Sequence, residues 1–137
     1  MILLDTHTLL WLSQDDPQLG KAARETIAQA SLNSEILVSA ASFWEIGLLL
    51  DKARIILSAP LSEWADAVMS RDDIRVIPIT ADIAVEAGSL PGALHGDPGD
   101  RFLIATARIM RARLLTSDGK ILAYAKAGHV EATAAHR

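Results

Sequence analysis

Apolar and polar positions alternate along this chain in blocks that read as strands leading directly into helices. The run Ile2–Leu4 is short, apolar and closed by Asp5, after which Thr6–Ser13 reads as a helix. Asp16-Pro17 breaks the chain, and residues 21–30 form a second helix of good helix formers. Ile36–Ser39 (ILVS) reads as a buried strand and residues 40–52 as the helix after it. Pro60 and Ser62 open a helix over residues 61–70, and residues 75–79 (RVIPI) are strand-like, with Pro78 marking an end or an edge. A helix over 81–87 follows, then a loop-rich stretch over 88–99. The pattern predicts a long helix over 98–113, a strand over 114–116, a short helix over 120–125 and a last strand over 129–131. No repeat or low-complexity segment interrupts this order. Strands that are continuous apolar runs, separated by helices, predict an α/β fold with a parallel sheet covered on both faces, in one domain over residues 1–137.

Open sheets of this kind bind ligands outside the carboxyl ends of their strands, so the acids matter by position. Asp5 directly follows the first strand, and Asp118 follows LLTS. Asp97 and Asp100 lie in HGDPGDR at the start of the long helix. Glu45 sits inside AASFWEIGLLL, the single charge in residues 36–50. Four of these positions also have a structural explanation. Asp97 before Pro98 is an N-cap with proline in the first turn, and Asp100 suits a capping box. Asp5 and Asp118 can cap their own helices. Glu45 is harder to explain this way: it is mid-helix in an apolar segment, where a lone carboxylate must be paired, ligated or protonated. Lys52, seven positions on, lies two turns away.

Clustering changes the reading. Two like charges about 4 Å apart repel by roughly 4 kcal/mol at an effective dielectric near 20. Four gathered carboxylates call for a cation, and an all-oxygen set suits Mg²⁺ or Mn²⁺ better than Zn²⁺.

Composition narrows the function classes. Half of the 137 residues are apolar and 22% are charged, as in an ordinary globular domain. The most apolar stretch, residues 36–50, is broken by Glu45 and falls short of the ~20 residues a membrane span needs. MILLD reads as a strand entering a core and not as a secretory signal, which makes the cytoplasm the expected location. The chain has no cysteine, so disulfides, thiol nucleophiles and cysteine–zinc sites are excluded. A net charge of −4 argues against a simple nucleic-acid-binding module but not against a nuclease that recruits a metal.

The segments DTHTLLW (from Asp5), SAASFWEI (from Ser39), LHGDPGDRFLIATA (from Leu94) and LLTSDGKI (from Leu114) together resemble the signature of PIN-domain proteins, most closely the VapC-type toxins. The resemblance spans almost the whole chain in order and spacing. It implies a three-layer α/β/α fold with a central parallel sheet and Mg²⁺- or Mn²⁺-dependent endoribonuclease activity. The family's acidic quartet falls on Asp5, Glu45, Asp100 and Asp118, as catalytic and metal-holding residues. Asp97 is an adjacent supporting acid, and Thr6, Thr116 and Ser117 are supporting polar positions. The last two would orient a water or a phosphate oxygen. A water nucleophile would leave 5′-phosphate and 3′-hydroxyl ends. The resemblance also implies an RNA substrate, a VapB-type antitoxin lying in a groove over the site, and a homodimer. The apolar excess in residues 43–57 and 61–69 fits a surface for a partner helix. One departure is Gly47-Leu48-Leu49-Leu50, where many relatives carry a lysine; Lys52 or Arg54 would replace it.

Other residues carry less. Arg101, Arg108, Arg111 and Arg113 either guide RNA along the long helix or are simply solvated. His7 and His95, near the acids, read as structural histidines before bases, while His129 and His136 give no signal. Trp11, Trp44 and Trp64 fit core or interface packing better than base stacking. Two rivals remain: an inert PIN-like module that binds RNA or protein, and a haloacid-dehalogenase-like phosphatase. The phosphatase wants an acid two residues after the first, where this chain has His7. Which RNA is cut, whether one metal or two are used, and the antitoxin's identity are not readable from the residues.

Overall fold

The computed structural model describes residues 1–94 and 96–137; the histidine at position 95 lies outside the described residues. Its elements run β1 (Ile2–Leu4), α1 (Thr6–Ser13), α2 (Lys21–Leu32), β2 (Ile36–Ser39), α3 (Ala40–Asp51), α4 (Leu61–Met69), β3 (Ile74–Ile77), α5 (Ala81–Gly88), α6 (Pro98–Met110), β4 (Arg113–Thr116), α7 (Gly119–Lys126) and β5 (Ala132–Ala134). The strands form one sheet in the order β3-β2-β1-β4-β5, with every pairing parallel. Its centre is β1, whose residues Leu3 and Leu4 are fully buried between β2 and β4.

The two-residue period of a strand splits this sheet into two cores. Ile2, Leu4, Ile36, Val38 and Leu115 face α1 to α4, where Leu9, Ile27, Ile46, Trp64 and Val68 pack against them. Leu3, Leu37 and Leu114 face the opposite way, onto Ile83, Leu103, Ile104, Ile121 and Tyr124 of α5, α6 and α7. The result is the three-layer α/β/α arrangement expected from the pattern. No helix among the described residues is long and apolar enough to cross a membrane.

Helix starts follow the side chains that cap them. Asp5, Ser39, Thr80, Asp97 and Asp118 occupy the N-cap positions of α1, α3, α5, α6 and α7, each accepting a hydrogen bond from a backbone N–H of the first turn. Several boundaries differ from the sequence reading: α2 runs on to Leu32, and β3 ends at Ile77, before Pro78. The long helix stops at Met110 and not at residue 113, because Arg111 adopts a left-handed conformation (φ 53°) that terminates it, and Arg113 begins β4. The last strand is Ala132–Ala134 and not 129–131. Residues 129–131 instead lead into the sheet, with Glu131 accepting from the Leu114 N–H.

Candidate functional site

Because each strand runs straight into a helix, the carboxyl edge of the sheet is lined with helix N-termini. Asp5 ends β1 and starts α1; its Oδ1 accepts from the Thr8 N–H at 2.8 Å. Asp118 follows β4 and caps α7, accepting from Lys120 N–H at 2.7 Å and Ile121 N–H at 3.3 Å. Asp97 caps α6 through the Asp100 N–H at 3.0 Å. The capping roles foreseen for these acids are therefore real, and they coexist with clustering. Partial positive charge at three helix N-termini offsets part of the repulsion among the carboxylates.

The tightest group is Glu45, Asp97 and Asp100, whose carboxylate oxygens lie within 4.8 Å of one another. Burial pushes the Asp100 carboxyl up to about 7, with Asp97, Asp118, Glu45 and Asp5 adding to the rise in that order. Asp100 therefore feels the charge of the four other acids named from the sequence. Asp97 stands closer to the centre of the group than its supporting role suggested.

Glu45 projects from α3 towards the start of α6. Its carboxyl is raised above the ordinary range, first by burial and then by Asp97 and Asp5, while a hydrogen bond with Thr6 pulls it back down. Its Oε1 is the one buried side-chain polar atom among the described residues that has no hydrogen-bond partner. Such an atom costs about 1–3 kcal/mol, more when charged. Gly99 makes the position available. A Cβ there would fall 1.6 Å from Glu45 Oε1, so the carboxylate rests where any other residue would place a side chain.

A web of hydroxyls holds the acids in place. The buried Thr116 donates to Asp5 Oδ2 at 2.5 Å and accepts from the Asp118 N–H at 3.0 Å, joining two acids from adjacent loops. Thr8 ties α1 to β4 by donating to the Leu115 carbonyl at 3.1 Å. Thr6 Oγ1 and Ser42 Oγ, both buried, are 3.1 Å apart. Thr116 is thus occupied with Asp5 and does not face outward to orient a water, whereas Ser117 is half-buried at the site's edge. The sequence reading missed Ser42 and Gly99. Ser42 was findable, since it sits three residues before Glu45 on the same helix face. Gly99 carried no signal, because DPGD reads as an ordinary helix start.

The arginines have other partners. Arg101 Nε donates to the Ala87 carbonyl at 2.8 Å, and Arg108 pairs with Glu86 at 3.1 Å and donates to the His129 carbonyl. These two half-buried side chains clamp α5 and the 129–131 segment to α6. Arg113, in β4, pairs with Glu131 at 3.4 Å. Trp64 is buried against Phe43 with its indole N–H donating to Ser13, while Trp44 is 52% exposed on α3. His7 is exposed.

Comparisons with known proteins agree with this geometry. Residues 2–127 match the PIN domain family. The chain is 34% identical over 120 residues to Ribonuclease VapC22 of Mycobacterium tuberculosis, covering 88% of each. The crystal structure of VapBC2 from Rickettsia felis, bound to a DNA fragment from their promoter, matches with a TM-score of 0.69 at 18% identity, over 98% of both chains. FitAcB from Neisseria gonorrhoeae matches with a TM-score of 0.59 at 19% identity, over 96% of both.

Proposed function

The chain belongs to the PIN-domain family, as a homologue of a VapC ribonuclease, and from that premise we propose that it is a divalent-metal-dependent endoribonuclease and the toxin of a toxin–antitoxin pair. The observation that carries this reading is the gathering of five carboxylates at the carboxyl edge of the sheet, with one buried oxygen of Glu45 lacking any hydrogen-bond partner. The donor set fits a hard cation: it is all oxygen, and Glu45, Asp97 and Asp100 are close enough to share one ion. Glu45 and Asp100 would hold Mg²⁺ or Mn²⁺ with Asp5 and Asp118, directly or through water, and Asp97 joins them. When bound, such a cation supplies Lewis acidity, making a water more acidic and offsetting negative charge on the phosphate.

The chain's own residues do the rest. Thr116 fixes the Asp5 carboxylate by its hydroxyl and sets the Asp118 backbone through the same oxygen. Gly99 leaves the space that Glu45 occupies. The raised Asp100 carboxyl gives up its proton when positive charge arrives, so the site is charged fully only when loaded. Ser117, the half-buried residue before Asp118, would meet a phosphate oxygen. Hydrolysis by water needs no 2′-hydroxyl and leaves 5′-phosphate and 3′-hydroxyl ends.

For partners we assign an RNA substrate, a VapB-type antitoxin and a second copy of the chain. Trp44 and Leu48 are exposed apolar residues of α3 that line a cavity with Glu45, Asp97 and Gly99, and this supports a docked antitoxin segment. Action in the cytoplasm accords with such a substrate.

The test is cleavage of a structured and unstructured RNA pool by the purified protein in Mg²⁺, Mn²⁺ or EDTA, beside Asp5→Asn. Cutting that needs the metal and disappears in a folded Asp5→Asn protein supports the assignment. A folded protein that binds Mn²⁺ nowhere and cuts no RNA would leave an inert binding module in its place.

A further inference from the structure

A cavity of about 540 Å³ opens along α1, between that helix and the segment after α3. Its polar and aromatic lining comes from His7, Trp11, Gln14, Asp16, Gln18 and Arg54, and the Asp16 carboxylate is engaged by the Gln18 backbone N–H at 2.9 Å. The His7 and Trp11 rings meet edge to face, with centroids 6.4 Å apart. Trp11 is half-buried against the core, so its ring is braced, whereas His7 and Arg54 are exposed. Arg54 makes no ion pair and Gln14 no side-chain hydrogen bond among the described residues. A braced aromatic face, a planar cation and an unengaged amide are what an unpaired nucleobase uses for stacking and edge recognition.

Position links this cavity to the acids. Asp5 caps the same helix, about 9 Å of helix axis from Trp11. Arg54 also lines a smaller cavity of about 210 Å³ whose other walls include Glu45, Asp97 and Gly99. Arg54 therefore lines both the aromatic cavity and, with Lys52, the cavity beside Glu45 and Asp97, in a chain whose net charge is −4. Resting on the ribonuclease reading, we propose that this cavity is a nucleobase subsite: it takes the base of a nucleotide flanking the cut, stacked on Trp11, with Arg54 holding the phosphate between subsite and acids.

The test is sequencing of the ends produced from a random-sequence single-stranded RNA pool in Mn²⁺ by wild type, Arg54→Ala, Trp11→Ala and Trp11→Phe. Melting curves accompany each variant, because Trp11 also packs on the core. The wild type is expected to prefer certain bases at one position beside the cut. Trp11→Ala should flatten that preference, Trp11→Phe should keep it, and Arg54→Ala should raise KM roughly tenfold with little change in kcat. Folded variants with unchanged preference and KM would overturn the subsite. If the wild type cuts nothing, anisotropy of labelled single-stranded RNA decides. Weaker binding by Arg54→Ala and Trp11→Ala, restored by Trp11→Phe, keeps the subsite while the nuclease reading fails. Equal binding overturns it. Variants that bind RNA normally but lose affinity for an antitoxin would give the cavity to a protein partner, which also overturns it.

Discussion

At the scale of single residues the site is defined by what its carboxylates lack. Asp100 holds its proton up to about pH 7 because burial and four neighbouring acids all disfavour its charge. The sign follows: the folded chain binds this proton more tightly than the unfolded one, so the metal-free protein loses stability as pH rises from about 4 towards 7. Asp100→Asn should abolish cleavage yet raise the melting temperature in EDTA at neutral pH, by several degrees if ~1 kcal/mol of repulsion is relieved. The same logic predicts that Mn²⁺ raises the wild-type melting temperature more at about pH 7.5 than at about pH 5.5, since the ion must displace protons at the lower pH. Thermal scans at the two pH values check this. Thr116→Val should cost roughly 1–3 kcal/mol and reduce activity, because it leaves Asp5 Oδ2 without its donor while only Oδ1 keeps the Thr8 N–H. Gly99→Ala should barely change the melting temperature, since the Glu45 side chain can swing away, but should alter Mn²⁺ affinity measured by calorimetry. The gathering of the acids was readable from the sequence because Asp5 and Asp118 follow strands, Glu45 lies inside an apolar helix, and Asp97 and Asp100 open α6. The roles of Thr116 and Gly99 were not, since both depend on which groups the fold brings within reach.

Among the elements, the legible features were those set by local chemistry. β1 and β2 are unbroken apolar runs, and α6 opens with Asp97-Pro98; both signals are local, and those starts fell where the pattern put them. β5 was misplaced by three residues because Ala132–Ala134 carries little apolar weight and owes its strand to pairing with β4. The end of α6 was missed because Arg111 takes a left-handed conformation usually left to glycine. The arginines of α6 show how position misleads without partners: Arg108 belongs to the α5–α6 clamp with Glu86. Arg108→Ala should therefore lower stability by about 1–2 kcal/mol while leaving RNA affinity unchanged, as denaturant melts and anisotropy would show.

For the molecule as a whole, the parallel sheet does the gathering. Crossovers place α1 to α4 on one face and α5 to α7 on the other, so acids from β1, α3, α6 and the loop after β4 meet at one edge. In a chain of net charge −4, Lys52 and Arg54 stand beside Glu45 and Asp97 at that edge. The claim on which the account rests is that these carboxylates hold a divalent ion. The most direct measurement is anomalous diffraction at the manganese edge from crystals of the protein grown with Mn²⁺. The account predicts a peak within coordination distance of Glu45 and Asp100, with Asp97, Asp5 and Asp118 completing the site directly or through water. No peak there at saturating Mn²⁺, or a peak elsewhere on the molecule, would contradict it.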